Sequence, residues 1–324
     1  YKVIKMLGAG GMGLVYKVED EKLDGRQFAI KVLPPEMAQN SAAVKRLKRE
    51  AHTAMDLHHS NIMALHSFES DGNNHFLVME FLEGPDLEDS LADKEKYTVG
   101  EVIKVAEQVC PALLHAHKCG VVHRDIKPGN LLYTNQGGER VVKVADFGIA
   151  YQVRNSMAKL TGQDTSGGTL HYMPPEQLAG KETDAKADQY ALGATFYELL
   201  RGRTPFDGAG AALIHQIQTV TPEEIEGVPA NVNSVLLKAL AKKPGDRFED
   251  CGEFLQALQD PKFDFSARGG KEEPVKSSSA FWVLCLLLLV GGVFGAEYHL
   301  NKFGLFKKTT PAPTVAPTKV TVTA

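Results

Sequence analysis

What most restricts the fold of this chain is a change of hydrophobic period just after residue 82. Ahead of it, "YKVIKMLGAGG", "GLVYKVED" and "FAIKVL" alternate apolar and polar residues between glycine-rich and acidic turns, the pattern of half-buried strands. Residues 1–33 therefore read as three antiparallel strands, and 62–68 and 75–82 ("HFLVMEFL") as two more. Between them Val44, Leu47, Ala51, Ala54 and Met55 form one apolar stripe of a helix over 42–58. From Leu87 to about residue 260 helical patterns dominate, as in "DQYALGATFYELLRG", broken by loops around 120–148 and 152–172. Strands in front and helices behind predict an α+β, bilobal chain: a β-rich lobe over 1–82, a helical lobe over 83–260, and a ligand cleft between them.

Composition narrows the classes further. Hydrophobic residues at 43% and charged residues at 23% allow a sizeable core in a chain of 324 residues. A net charge of −4 gives nucleic-acid binding no support. The four cysteines show no CxxC pairing, which argues against a zinc site or a disulfide scaffold and fits a reducing compartment. Neither His58/His59 nor His115/His117 has the i, i+4 spacing of a zincin pair.

After Asp260 the character changes. "PKFDFSARGGKEEPVKSSS", residues 261–279, reads as a juxtamembrane linker. "AFWVLCLLLLVGGVFGA", residues 280–296, has no charge, and its seventeen residues span about 26 Å as a helix, near the short limit for a bilayer core. It reads as a transmembrane helix extending to about 300, with Trp282 and Tyr298 as interfacial anchors. Basic residues lie on both sides and do not set its orientation. Residues 301–324 form a Thr/Pro-rich tail that reads as disordered. The chain opens at Tyr1 without an initiator Met and reads as a trimmed fragment.

The chemistry-bearing residues come in order. "GAGGMGLV" places Gly8, Gly10 and Gly13 in a G-x-G-x-x-G-x-V pattern, where glycine lets backbone approach phosphates. A dinucleotide fold would need a helix next; "LVYKVED" reads as a strand, so a hairpin lid fits better. "FAIK" puts Lys31 at a strand end, opposite Ile30 and on Phe28's side. Glu50 falls on the inward side of the 42–58 helix, near Leu47 and Ala54, where a lysine and a glutamate could hold a polyphosphate. "HRDIKPGN" (123–130) and "DFG" (146–148) then bring two carboxylates close together.

With those motifs in that order and spacing, residues 1–260 resemble the eukaryotic-type protein kinases. The resemblance implies that Gly8, Gly10 and Gly13 cover the phosphates of ATP, that Leu7 also belongs to the cofactor-binding set, and that Lys31 binds the α- and β-phosphates and pairs with Glu50. Asn130 and Asp146 would hold Mg²⁺, with Mn²⁺ as an alternative. Asp125 would accept the proton of the attacking hydroxyl or orient it, and Lys127 would neutralise the transferring phosphoryl group. Met79 takes the gatekeeper position, Glu80, Phe81 and Leu82 the hinge, and Val15, Ala29 and Leu132 the faces of the adenine.

Lys127, two residues after Asp125, and Thr169 in "GTLHYMPPEQ" resemble the Ser/Thr branch; with the single carboxy-terminal span, the chain looks like bacterial receptor-type Ser/Thr kinases. Asp188 would brace the catalytic loop, and Glu176 would pair with Arg247. Arg124 would respond to a phosphate on the activation segment, with Thr165 the first candidate, Thr161 the second, and Ser156 and Ser166 behind them. Two departures stand out: Pro174 gives "PPE", and Ala54 is small where the family stacks a larger side chain. The implied partners are Ser/Thr-bearing protein substrates, a plasma or inner membrane crossed once, and a second copy for phosphorylation in trans; nucleic acid is not among them. Residues 1–279 would face the cytoplasm, where ATP is, and the tail the exterior. The rival reading is a pseudokinase scaffold that binds nucleotide or partners without catalysis.

Overall fold

The alternating segments at the front pair into one antiparallel sheet: β1 (Lys2–Gly10), β2 (Gly13–Asp20), β3 (Arg26–Val32), β4 (Leu65–Asp71) and β5 (Asn74–Glu80), in the order β1-β2-β3-β5-β4. The structure, a computed structural model, describes residues 1–10, 13–147 and 169–265, all within one unit, Tyr1–Gly270. Period-two alternation sorts the sheet's side chains onto two faces. Phe28 and Ile30 cluster with Val18 and Val78 on one face. Ala29, Leu77 and Met79 lie on the other, against Leu47, Ala51 and Ala54 of a helix.

A short helix α1 (Pro35–Ala38) leads into that helix, α2 (Ser41–Met55). The Ala43 N–H donates to the Asn40 side chain at 3.0 Å, capping the start of α2. The helix stops short of the expected residue 58 because Leu57 turns away and is buried with the helical lobe's core. β4 likewise starts at Leu65 rather than 62, since Ile62 pairs instead with Val144.

The second lobe opens with α3 (Leu87–Lys94) and α4 (Val99–Lys118), the latter started by a capping box between Thr98 and Glu101. Where a loop was expected around 120–148, a hairpin of β6 (Leu131–Gln136) and β7 (Glu139–Val144) forms instead, because Leu131, Tyr133, Val142 and Val144 bury against the core of this lobe. Then come α5 (Pro175–Leu178), α6 (Ala185–Arg201), α7 (Gly210–Thr219), α8 (Ala230–Ala239) and α9 (Cys251–Gln259). α6 is buried nearly all round, so it forms the axis on which the lobe packs. At Gly193 a Cβ would lie 2.8 Å from the Cβ of Ala239, so glycine lets α6 and α8 approach closely.

The packed lobe runs past the expected boundary at 260. Phe263 is buried against Phe248, ring centroids 5.8 Å apart, and Phe265 packs on the same core. Cys110, Cys119 and Cys251 are free thiols. Among the described residues no helix is long and apolar enough to cross a membrane; the 280–296 run, most of the linker and the tail lie outside them.

Candidate active site

The catalytic loop is placed by the end of α4. Gly120, at φ +75°, closes that helix, with its N–H on the His117 carbonyl and the Val121 N–H on that of Ala116. The chain then passes over Asp188, a fully buried carboxylate on α6. Asp188 accepts the backbone N–H of His123 at 2.8 Å and of Arg124 at 2.7 Å, and meets the His117 imidazole at 2.8 Å. Burial pushes this carboxyl's pKa up, but the His117 contact, with His123 behind it, outweighs that and holds it below the usual carboxylate range. The brace keeps Arg124 in a left-handed conformation, φ 65°, that non-glycine residues rarely adopt.

Within the loop, His123 accepts the Asp125 N–H at its Nδ1 (3.2 Å) and donates from Nε2 to the Ala145 carbonyl (2.7 Å), which fixes its tautomer. Its ring also meets Phe147 edge-on at 4.7 Å. Asp125 is 3% exposed, and its Oδ2 and backbone carbonyl both accept from the Asn130 amide, at 2.9 and 2.6 Å. The Ala145 N–H donates to the Asn130 carbonyl at 2.9 Å, setting Asp146 beside that asparagine. Asp146 too has positive φ, 62°. Burial raises its pKa, while Lys31 first, then His123 and Lys127, lower it further, leaving it below the ordinary value.

Lys31 supplies the main correction. Its ammonium pairs with Asp146 at 2.7 Å, not with Glu50. Glu50 is half-buried and makes no ion pair among the described residues. The physical reason is proximity: the Asp146 carboxylate lies 2.7 Å from the ammonium, and a contact ion pair in that partly buried setting outweighs a more distant carboxylate. A second, smaller correction concerns faces. Lys31 stands directly opposite Val15 and Leu77 and shares its face with Ala29; Phe28 packs with Ile30 on the other side.

Of the residues expected to bind the nucleotide, Ala29, Met79 and Val15 lie on that inner face. Ala29 pairs with Met79 across β3 and β5, and both are buried. Val15 packs at the edge of the same cluster. Leu82 is buried, Leu132 half-buried and Leu7 41% exposed. Gly10 pairs with Gly13 across the β1–β2 hairpin, as a lid requires, while Gly11 and Met12 lie outside the described residues. Gly13, at φ +112°, sits so near β3 that a Cβ would lie 1.9 Å from the Val32 carbonyl oxygen, whereas Gly8 has open space around it. Ala54, Met79, Asp146 and Phe147 surround a small cavity, where the short alanine side chain leaves room.

At the end of the activation segment Thr169 is buried and lines a small cavity together with Arg124 and Asp125. Glu176 and Arg247 form a bidentate pair at 2.7 and 2.8 Å, both buried. Pro174 adopts φ −72°, ψ 155°, the extended conformation that a following proline favours, and Glu176 still reaches its partner. Ser156, Thr161, Thr165 and Ser166 lie outside the described residues.

Sequence reasoning missed Lys143, whose ammonium grips both oxygens of Glu80 at 2.8 and 2.9 Å. The signal was there: a lone charge inside the apolar strand "VVKVA" is either exposed or paired. It also missed Asn61 and Gln108, which bind the backbone of Val142 on β7.

A sequence profile described as the protein kinase domain matches residues 1–263. The serine/threonine-protein kinase PrkC of Bacillus subtilis is 38% identical over 269 residues, which are 82% of this chain and 40% of that protein. Pkn1 of Myxococcus xanthus, also named a serine/threonine-protein kinase, is 38% identical over 265 residues, 80% of this chain and 38% of that protein. The match thus spans well under half the length of these curated relatives. The crystal structure of the Mycobacterium tuberculosis PknI kinase domain superposes with a TM-score of 0.65 at 33% identity, covering 81% of this chain and 95% of that one. Fold, profile and relatives agree that the chain belongs to the protein kinase family.

Proposed function

We propose that the chain is an ATP-dependent Ser/Thr protein kinase. One observation carries this reading: Lys31 pairs with Asp146, the adjacent Ala145 N–H bonds the Asn130 carbonyl, and the Asn130 amide holds Asp125, which links β3 to the catalytic loop. In the proposed reaction a substrate hydroxyl attacks the γ-phosphorus, the bond to the β-phosphate oxygen breaks, and ADP leaves. Asp125, held by Asn130, orients the hydroxyl and takes its proton. Lys127, half-buried in extended backbone and close enough to depress the pKa of Asp146, faces the charge on the moving phosphoryl group.

The donor set fits a hard cation. Asn130 turns its amide nitrogen to Asp125, so its carbonyl oxygen and the Asp146 carboxylate would be the oxygen donors that hold such an ion. Mg²⁺ there, or Mn²⁺ in its place, would neutralise phosphate charge. For Lys31 to hold the α- and β-phosphates it must leave Asp146 and join Glu50, which requires α2 to turn toward β3. Its observed pairing supports a kinase that needs activation.

The proposed activator is a phosphate on Thr165, or second on Thr161, added by another copy of the chain. Incubation with γ-labelled ATP and Mg²⁺, followed by site mapping, tests activity and sites together. Label is expected on Ser or Thr, with an initial rate per molecule that rises with protein concentration. Thr165→Ala should lower the activated rate on an added peptide at least about tenfold. An unchanged rate removes Thr165, and no label on any substrate leaves the pseudokinase reading in its place.

Residues 280–296 are proposed to anchor the chain in the membrane, with the kinase lobes in the cytoplasm and the tail outside. External protease on intact cells should then remove the tail; a protected tail contradicts the orientation.

A further inference from the structure

We infer that Lys143 is a positioning residue for the nucleotide base, holding the hinge in place through its ion pair with Glu80. The inference rests on the kinase reading above. Glu80 ends β5, and its backbone N–H donates to the Ala64 carbonyl at 2.8 Å. Its carboxylate takes Lys143 Nζ on both oxygens and the Ala64 N–H on Oε2 at 3.1 Å. The Lys143 side chain is only 7% exposed and that of Glu80 27%, so neither charge is well solvated apart from the other. Such a pair tolerates little displacement, and it tethers the residue from which the hinge begins.

The register of the hairpin supplies the link to the base. Lys143 on β7 stands directly opposite Leu132 on β6, and opposed residues project on the same face of a sheet. The lysine that grips the hinge therefore sits beside the leucine proposed to pack under adenine. The rest of the hinge is tied to the same hairpin: the Tyr133 N–H donates to the Pro85 carbonyl at 2.9 Å, and Asp86 bridges to Leu132. At Gly84 a Cβ would lie 2.1 Å from the Tyr133 carbonyl oxygen, so only glycine allows the approach.

β7 is locked in turn from the other lobe. The Val144 N–H donates to the Asn61 carbonyl at 2.8 Å, and its carbonyl accepts the Met63 N–H at 2.9 Å. Three residues past Lys143 comes Asp146. One strand thus sets both ends of the nucleotide, the base through Lys143 and the phosphates through Asp146.

Steady-state kinetics on the full chain, with ATP or GTP as donor and a Ser/Thr peptide as acceptor, test this. Lys143→Met should raise KM for ATP at least about fivefold with kcat within about twofold, and lower the ATP-over-GTP preference in kcat/KM at least about threefold. Lys143→Arg should restore most of both. The double variant E80Q/K143M, which buries no lone charge, should keep its melting temperature near that of the unaltered protein and retain the KM defect. If the double variant regains normal KM and base preference along with its stability, Lys143 is structural only and the inference falls. It falls equally if Lys143→Met leaves both quantities unchanged. Should the unaltered chain transfer no phosphate, the kinase reading fails separately; calorimetric titration with ATP and GTP then decides on Lys143, with the same loss of preference expected and equal affinities overturning it.

Discussion

The two sides of the site are built to different tolerances. On the helical-lobe side, Asp125 is held by Asn130 and His123, and the loop that carries it is pinned by the buried Asp188. Asp188 accepts two backbone N–H groups and meets His117 there, and Arg124 is kept at positive φ by that brace. On the sheet side, Glu50 makes no ion pair among the described residues, Lys31 is engaged by Asp146, and Ala54 leaves a cavity where α2 meets the site. In the proposed function the rigid side would position the proton acceptor and the other side would align the nucleotide, where exchanging one ion pair, Lys31 with Asp146, for another would switch activity.

Three variants test this contrast, taken from the largest effect downward. Asp125→Asn should lower phosphate transfer by about 10³-fold or more while ATP affinity stays within about threefold. Transfer above a few per cent of the normal rate would take Asp125 out of its role.

Asp188→Asn should cost about 3 kcal/mol of stability at neutral pH, since it disrupts a buried, hydrogen-bonded carboxylate. The folded pKa of Asp188 lies below its unfolded value. Its contribution is therefore complete above the ordinary carboxylate range, about pH 4, and fades as pH falls through the lower folded value. Urea melts of both proteins at pH 7 and near pH 3 should show the gap closing in acid. A gap that keeps its width would mean the charge is not what stabilises the loop.

Glu50→Gln should reduce activity only about tenfold and shift stability by less than about 0.5 kcal/mol, because no observed ion pair is lost. Destabilisation as large as that of Asp188→Asn would erase the distinction between the two sides.

Much of the site was legible beforehand because short-range chemistry dictates it. The alternation in "GLVYKVED" and "FAIKVL" marked the strands, and the spacing of Asp125, Asn130 and Asp146 marked the loop and its neighbour. The pairing of Glu176 with Arg247 was anticipated from motif resemblance and is found across 71 positions of chain. The lobe boundary at 260 was misjudged because Phe263 and Phe265 are two isolated aromatics in a polar stretch; their burial depends on Phe248 and its surroundings. The apolar run around Lys143 flags a charge in need of a partner, but Glu80 lies 63 positions away and no local pattern identifies it.

By itself the sequence determined the five strands at the front, the helical character of the rear and the family to which the chain belongs, but not the β6–β7 hairpin. Tertiary structure decided which anion each buried cation meets: Lys31 takes Asp146 over Glu50, and Lys143 takes Glu80. Secondary structure follows from neighbours within a few residues, whereas the partner of a charge depends on distance and on how far water is excluded from each candidate. Those quantities exist only once the lobes have packed.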